Sequence, residues 1–150
     1  RVVEVGTLAG YSALCLARAV GDGGHVHSIE LDPTHARIAR DNAAAAGFTS
    51  RVTVHEGAAL DVLPKLEALG PFDLVFVDAD KGNYDAYGHW ATRHLRPGGL
   101  LVGDNAFYFG ELLGDKPEAA AMRRFHQEAA ASFESVCVPT PDGLLVARKR

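Results

Sequence analysis

Three oxygen-bearing side chains follow two apolar segments of the chain, and their types suit a metal ion. Asp78 comes directly after residues 74–77, and Asp104 and Asn105 follow residues 100–103. If these segments are neighbouring strands, their ends lie roughly 5–10 Å apart and the side chains could converge. Two carboxylates and an amide oxygen suit Mg²⁺, Mn²⁺ or Ca²⁺ better than Zn²⁺. The pattern predicts a metal site that leaves positions for water and a substrate.

Lys81 follows Asp78 by three residues and adds a group that can move a proton. An unperturbed phenol has a pKa of about 10, and a bound cation lowers that pKa and orients the oxygen. Two adjacent hydroxyls of a substrate could chelate the metal, while Lys81 accepts or steers the proton. We therefore predict that Asp78 and Lys81 are catalytic. The alternatives are an ordinary turn at residues 104–105 and a solvated loop at residues 81–83.

The first turn of the chain carries an acid where a nucleotide-binding turn carries glycine. Pyrophosphate recognition needs G-x-G-x-x-G, whereas this turn reads Glu4-x-Gly6-x-x-x-Gly10. A carboxylate repels phosphate but suits S-adenosylmethionine, which carries an ammonium and a sulfonium. Gly6 lets the backbone approach such a ligand closely. Thr7 and Ser12 can offer hydroxyls to its carboxylate end.

The ends of the next two apolar segments extend this prediction. Glu30 ends the second segment, where an acid accepts hydrogen bonds from ribose hydroxyls. Ala59 belongs to a run of small residues after the third segment, which leaves space for adenine. The alternative is a strand–turn–helix with an incidental acid, but three suitable endings in succession favour a cofactor site. We predict S-adenosylmethionine-dependent methyl transfer to a hydroxyl of a small catechol-like substrate.

Short apolar segments alternate with helical patterns, as in a parallel α/β sheet. Strands are predicted at residues 2–5, 25–29, 52–55, 74–77 and 100–102, and helices near 10–20, 33–46, 60–69, 84–95 and 116–131. Asp32 and Pro33 open the second helix and Gly47 closes it. The last strands, 133–138 and 144–148, are too closely linked for a parallel crossover. We predict one domain over residues 1–150, with a Rossmann-like, mostly parallel sheet of seven strands and a C-terminal antiparallel hairpin.

Bulk properties exclude several classes of protein. The net charge of -4 argues against a nucleic-acid partner, and no apolar run approaches the ~20 residues of a membrane span. Cys15 and Cys137 are far apart and form no metal spacing. We expect two reduced thiols and a cytoplasmic location. Because the chain begins inside a strand and without Met, we expect that an upstream segment is missing.

These motifs together resemble the cation-dependent O-methyltransferase family, which includes caffeoyl-CoA and catechol O-methyltransferases. The resemblance covers nearly the whole chain through EVGTLAGYSAL, HSIELD, EGAAL, FDLVFVDADKGNY, LRPGGLLVGDN and PTPDGLLVARK. It implies a class I methyltransferase fold, a divalent cation, a homodimer and an absent N-terminal helical segment that covers the active site. It implies the metal ligands Asp78, Asp104 and Asn105, the base Lys81, and cofactor contacts at Glu4, Gly6, Ser12, Glu30, Ala59, Asp78 and Asp80. Residues 106–111 are more aromatic than the family pattern, which implies a different substrate wall.

Three other functions compete with this prediction. A nucleotide-dependent oxidoreductase shares the alternating pattern, but Glu4 and the terminal hairpin count against it. A non-catalytic interaction module on the same fold is disfavoured by the complete metal set and Lys81. A methyltransferase that acts on RNA is disfavoured by the acidic charge balance.

Overall fold

The computed structural model describes residues 1–150. The strands are β1 (Val2–Val5), β2 (Val26–Glu30), β3 (Val52–Glu56), β4 (Phe72–Val77), β5 (Leu95–Asp104), β6 (Phe133–Val138) and β7 (Leu144–Lys149). The α-helices are α1 (Tyr11–Val20), α2 (Pro33–Ala45), α3 (Ala59–Leu66), α4 (Tyr84–His94) and α5 (Pro117–Ser132). None of these helices combines the length and the apolar character that crossing a bilayer requires.

The seven strands form one mixed sheet in the order β3-β2-β1-β4-β5-β7-β6. Strand β7 pairs antiparallel with both β5 and β6, so the predicted sheet and its terminal hairpin are confirmed. Strand β5 starts at Leu95 rather than near Leu100. Its first residues include Pro97 and Gly98, whose local preference for turns is overridden by the sheet. The chain divides into two compact units, Arg1–Phe72 and Asp73–Arg150.

In the first unit, β1 and β3 both pair parallel with β2. The buried faces of α1 and α2 consist of alanine, so both helices can pack closely, and these residues are Ala13, Ala17, Ala36, Ala39 and Ala43. Helix α2 has the predicted ends. The Asp32 carboxylate accepts hydrogen bonds from the backbone N–H groups of Thr34 and His35 at 2.7 and 3.0 Å. Gly47, which follows the last turn, has a φ of +75°.

A cluster of three histidines lies at β2 and β3 of the first unit, with His25 directly before β2, His27 in β2 and His55 in β3. The His27 ring lies 4.6 Å from the His25 ring, and its Nδ1 is 3.1 Å from Nε2 of His55. Burial, together with the neighbouring His25 and His55, lowers the pKa of His27 to about 4. The folded protein therefore keeps His27 neutral at pH values where an unfolded chain protonates it.

We expect this histidine to weaken the fold in acid. His27 takes up a proton near pH 6.5 in the unfolded chain but only near pH 4 in the folded protein. The free energy of unfolding therefore has its full value above pH 6.5 and decreases as the pH falls towards 4. The variant His27→Gln should lose less unfolding free energy than the parent protein between about pH 7 and pH 5, measured by urea denaturation. His89→Gln, at an exposed histidine, should behave like the parent. An equal loss in His27→Gln and the parent would contradict this account.

In the second unit, α4, α5 and β5 pack around Phe125. A Cβ at Gly88 of α4 would lie 2.7 Å from the Phe125 ring, and one at Gly103 of β5 would lie 2.8 Å from it. Phe125 is fully buried, and its ring meets the Tyr84 ring edge-on at 5.3 Å. Glycine at both positions lets an aromatic ring fill the space between the helices and the strand.

The turn between β6 and β7 holds the segment that follows β5. The backbone N–H of Ala106 donates to the Gly143 carbonyl at 2.9 Å, and that of Phe107 donates to the Asp142 carbonyl at 2.8 Å. The Phe107 ring also covers the α-carbon of Gly143, where a Cβ would lie 2.6 Å from the ring. The hairpin therefore fixes the backbone next to Asn105.

Replacing Gly143 by alanine should destabilise the protein through two separate effects. Gly143 has a φ of +76°, so a side chain costs about 1–2 kcal/mol in backbone strain. The clash with Phe107 adds about 1–3 kcal/mol. Gly47→Ala is a matched control, because Gly47 has a φ of +75° and an added Cβ there meets nothing within 4 Å. Urea denaturation should show a larger loss for Gly143→Ala, and equal losses would contradict the contact with Phe107.

Candidate active site

The predicted cofactor-binding acid Glu4 lies within β1 of the first unit. Glu4 is fully buried, and its Oε2 accepts a hydrogen bond from the Ser28 hydroxyl of β2. The Ser28 oxygen in turn lies within hydrogen-bond distance of the Thr7 hydroxyl. A buried carboxylate requires such donors, so this chain of side chains holds Glu4 in place. The Thr7 hydroxyl is engaged inside the protein, and its contact with a cofactor stays a prediction.

Glu30 holds the glycine-containing turn after β1 through hydrogen bonds to its backbone. Its Oε2 accepts hydrogen bonds from the backbone N–H groups of Thr7 at 3.1 Å and Leu8 at 2.8 Å, and its Oε1 accepts from Asp32 N–H at 2.9 Å. Leu8 has a φ of +49°, a conformation that leucine rarely adopts, and Glu30 stabilises it. Each carboxylate oxygen can accept two hydrogen bonds, so Glu30 keeps capacity for a ligand hydroxyl.

The remaining predicted cofactor residues of this unit lie at the ends of elements. Gly6 has a φ of +95°, and its N–H donates to the Ile29 carbonyl at 3.0 Å. Ser12 is the second residue of α1 and its hydroxyl makes no hydrogen bond within the protein. Ala59 is the first residue of α3. The fold thus joins Glu4, Thr7 and Glu30 through hydrogen bonds and leaves Ser12 and Ala59 outside that network.

In the second unit, Lys81 lies at the centre of the predicted catalytic cluster. Its side chain is only 12% exposed, and its Nζ lies 3.4 Å from Oδ1 of Asp78. Burial lowers the pKa of Lys81, while the negative charges of Asp78, Asp104 and Asp80 raise it and reduce that shift. Nζ of Lys81 and the Asp104 carbonyl oxygen both contact the Tyr84 hydroxyl, so the ends of β4 and β5 bring Asp78, Asp104 and Lys81 together.

Asp80 has structural partners on both carboxylate oxygens. Its Oδ1 accepts the Tyr87 hydroxyl at 2.7 Å, and its Oδ2 accepts the Asn83 side-chain amide at 2.6 Å. Burial raises the pKa of Tyr87, and the contact with Asp80 raises it further, so the phenol stays a donor. Asp80 therefore fixes the start of α4, and its predicted contact with a cofactor stays a prediction.

The three predicted metal ligands retain free oxygen atoms. Asp78 uses Oδ1 towards Lys81, and Asp104 uses Oδ1 to accept the Asn105 backbone N–H at 2.7 Å. Asn105 donates its side-chain amide to the Asp142 carboxylate at 3.5 Å, which leaves its oxygen unused. No group of three or more His, Cys, Asp and Glu side chains is arranged to hold a metal, so a site here needs the Asn105 amide. The donor chemistry fits Mg²⁺.

The sequence motifs did not reveal the roles of Ser28 and Tyr84. Ser28 lies two residues before Glu30 and opposite Glu4 in the β1–β2 register, so strand alternation could have indicated its direction. Tyr84 forms a buried stripe on α4 with Tyr87 and Trp90, which follow it at spacings of three residues. Its hydroxyl, however, contacts Lys81 at 2.6 Å. The spacing of three residues between Lys81 and Tyr84 was the available signal.

The strand order, with its C-terminal antiparallel hairpin, is the fold of the class I methyltransferases. The profile of the O-methyltransferase family matches residues 1–150. The chain therefore belongs to the O-methyltransferase family.

The curated relatives that the chain matches include two catechol O-methyltransferases. The chain is 40% identical over 158 aligned positions to a catechol O-methyltransferase of Niastella koreensis, covering 97% of this chain and 72% of the relative. It is 49% identical over 122 positions to a catechol O-methyltransferase of Mycobacterium tuberculosis, covering 81% of this chain and 55% of the relative. The chain thus spans just over half the length of the second relative.

Solved structures show the same fold with a cofactor bound. An O-methyltransferase from Bacillus cereus in complex with SAH has a TM-score of 0.91 and 38% identity, with 99% of this chain and 73% of that chain covered. The O-methyltransferase TomG from Streptomyces achromogenes in complex with SAM has a TM-score of 0.91 and 35% identity, with 99% and 72% covered.

Proposed function

We propose that this protein is an S-adenosylmethionine-dependent, divalent-cation-dependent O-methyltransferase that acts on a small aromatic substrate with two adjacent hydroxyls. The observation that carries the proposal is the Lys81 amine, which is nearly buried and lies 3.4 Å from Asp78. An amine in such surroundings can take a proton from a substrate hydroxyl. Cofactor-bound relatives and the catechol O-methyltransferases at 40–49% identity support the same activity.

In the first unit, Glu30 and the turn that it fastens would bind the cofactor. Two backbone N–H groups of the turn are held by Glu30, and the remaining lone pair of its Oε1 is suited to a ribose hydroxyl. Ser12 has an uncommitted hydroxyl near the start of α1, where a helix N-terminus favours a ligand carboxylate. Glu4 would place negative charge behind the turn and oppose the binding of a phosphate. S-adenosylmethionine supplies the electrophilic methyl group.

In the second unit, Asp78, Asp104 and Asn105 would hold the cation. Their three uncommitted oxygens provide the hard ligands that Mg²⁺, Mn²⁺ or Ca²⁺ requires. A cation held there would lower the pKa of a substrate hydroxyl and orient it. Lys81 accepts the phenolic proton at Nζ as an oxygen–carbon bond forms and the sulfur–methyl bond breaks. The products are the methyl ether, S-adenosylhomocysteine and a proton held by Lys81.

The choice of substrate tests the requirement for two adjacent hydroxyls. With the protein, S-adenosylmethionine and Mg²⁺, catechol should be methylated much faster than phenol or resorcinol, because only adjacent hydroxyls can chelate one cation. Mass spectrometry of the products measures the three rates. Equal rates for catechol and phenol would contradict chelation and leave only general methyl transfer.

A further inference from the structure

Tyr84 contacts Lys81 and the backbone at the ends of β4 and β5. It is the first residue of α4 and is fully buried. Its hydroxyl oxygen lies 3.2 Å from the Val77 carbonyl oxygen, 3.0 Å from the Asp104 carbonyl oxygen and 2.6 Å from Nζ of Lys81. Val77 precedes Asp78, so one hydroxyl contacts the backbone beside both predicted metal-binding carboxylates.

The direction of these hydrogen bonds follows from the groups involved. A carbonyl oxygen only accepts, so the single Tyr84 proton goes to the carbonyl of Val77 or of Asp104. Lys81 must therefore be the donor in its contact with Tyr84. The contacts with two carbonyl oxygens require the Tyr84 hydroxyl to keep its proton. Tyr84 acts as an acceptor towards Lys81 and not as a base.

These contacts leave one direction of the Lys81 nitrogen open. A neutral amine has two hydrogens and one lone pair, and Tyr84 and Asp78 each accept one hydrogen. The lone pair must then lie in the remaining direction. The nitrogen also lies 4.4 Å from the centroid of the Tyr84 ring, so the same residue restricts it through the ring and through the hydroxyl.

We propose that Tyr84 is the positioning residue of this site, whose hydroxyl holds Nζ of Lys81 so that its free direction faces the acceptor hydroxyl. The inference rests on the proposed function, because it gives Tyr84 a role only through Lys81. It also explains why position 84 is a tyrosine and not a phenylalanine: a buried phenol requires partners, and here they are Lys81 and the backbone at the ends of β4 and β5.

The variant Tyr84→Phe removes the hydroxyl and keeps the ring against Phe125. We expect kcat for catechol to fall about 10- to 100-fold, as for other residues that orient a catalytic group. The KM values and the calorimetric Kd for S-adenosylmethionine should stay unchanged, because binding does not require the proton acceptor. Thr92→Val deletes another hydroxyl of α4, which donates to the Gly88 carbonyl, and should keep the parent kcat.

A double-mutant cycle separates positioning from a general structural role. If Tyr84 acts through Lys81, Tyr84→Phe should change kcat little once Lys81→Met is present. A full additional loss in the double variant would overturn the inference. A Lys81→Met variant as active as the parent would also overturn the inference, because Tyr84 is assigned a role only through Lys81. If the parent protein does not methylate catechol at all, the proposed function fails instead, so the two failures are distinguishable.

Fluorinated tyrosine at position 84 provides a second measurement that does not depend on the folding of Tyr84→Phe. Fluorine next to the hydroxyl weakens its oxygen as an acceptor while the ring and hydroxyl stay in place. We expect kcat to fall from tyrosine through 3-fluorotyrosine to 3,5-difluorotyrosine, at an unchanged melting temperature. An unchanged kcat across the series would overturn the role assigned to the hydroxyl.

Discussion

Replacing Lys81 by methionine is expected to lower kcat for catechol methylation by about 10²- to 10⁴-fold, the usual contribution of a positioned general base. Methionine keeps an apolar stem of similar length in a pocket where only 12% of the lysine is exposed. It removes the only amine that lies against Asp78 and Tyr84. The expected loss therefore reflects proton transfer and not a collapse of the site.

The control for this variant is Lys65→Met, at an exposed position of α3. It makes the same chemical change away from the acids of the second unit and should keep the parent kcat. Single-turnover rates and calorimetry with S-adenosylmethionine separate chemistry from binding. A Lys81→Met variant with the parent rate would mean that proton removal does not depend on this residue.

Replacing Asp104 by asparagine is expected to weaken binding of the divalent cation by more than about 100-fold, because even partners outside the ligand set contribute 10- to 100-fold. Asparagine can still accept the Asn105 backbone N–H through its amide oxygen, as Oδ1 of Asp104 does at 2.7 Å. The change therefore removes one negative charge and preserves the local hydrogen bond. Methyl transfer should require far more Mg²⁺ to reach half of its maximum.

Asp41→Asn is the matched control for the loss of charge. Asp41 pairs with Arg37 on the exposed surface of α2, where an ion pair contributes little to stability. The Mg²⁺ dependence of this variant should equal that of the parent, and binding of Mn²⁺ followed by electron paramagnetic resonance should agree. An unchanged Mg²⁺ dependence in Asp104→Asn would remove Asp104 from the ligand set.

Local signals in the sequence were sufficient for most of the fold. Asp32 and Gly47 marked the ends of α2 because capping depends on neighbouring backbone groups. The short link between β6 and β7 dictated antiparallel pairing. The start of β5 was missed because Pro97 and Gly98 favour a turn locally, while pairing within the sheet determines the strand.

The sequence predicted the site residues that lie at or just after the ends of strands, but not the side chains that contact them. The position of Asp78, Asp104 and Asn105 after apolar strands indicated their grouping, since parallel strands end at one edge. Strand alternation could have indicated that Ser28 points towards Glu4. The contact between the Thr7 and Ser28 hydroxyls could not be predicted, because Thr7 lies in the turn after β1 and its partner lies in β2. The role of Tyr84 was hidden for a similar reason: periodicity predicts that a ring is buried but not what its hydroxyl contacts.

The most direct test of the proposed function is methyl transfer from S-adenosylmethionine labelled in its methyl group to catechol, with and without EDTA. The proposal predicts a labelled monomethyl ether with Mg²⁺, almost none in EDTA, and full recovery when excess Mg²⁺ is added back. Equal labelling in EDTA and in Mg²⁺ would contradict the metal role of Asp78, Asp104 and Asn105. No labelling under either condition would contradict the proposed substrate.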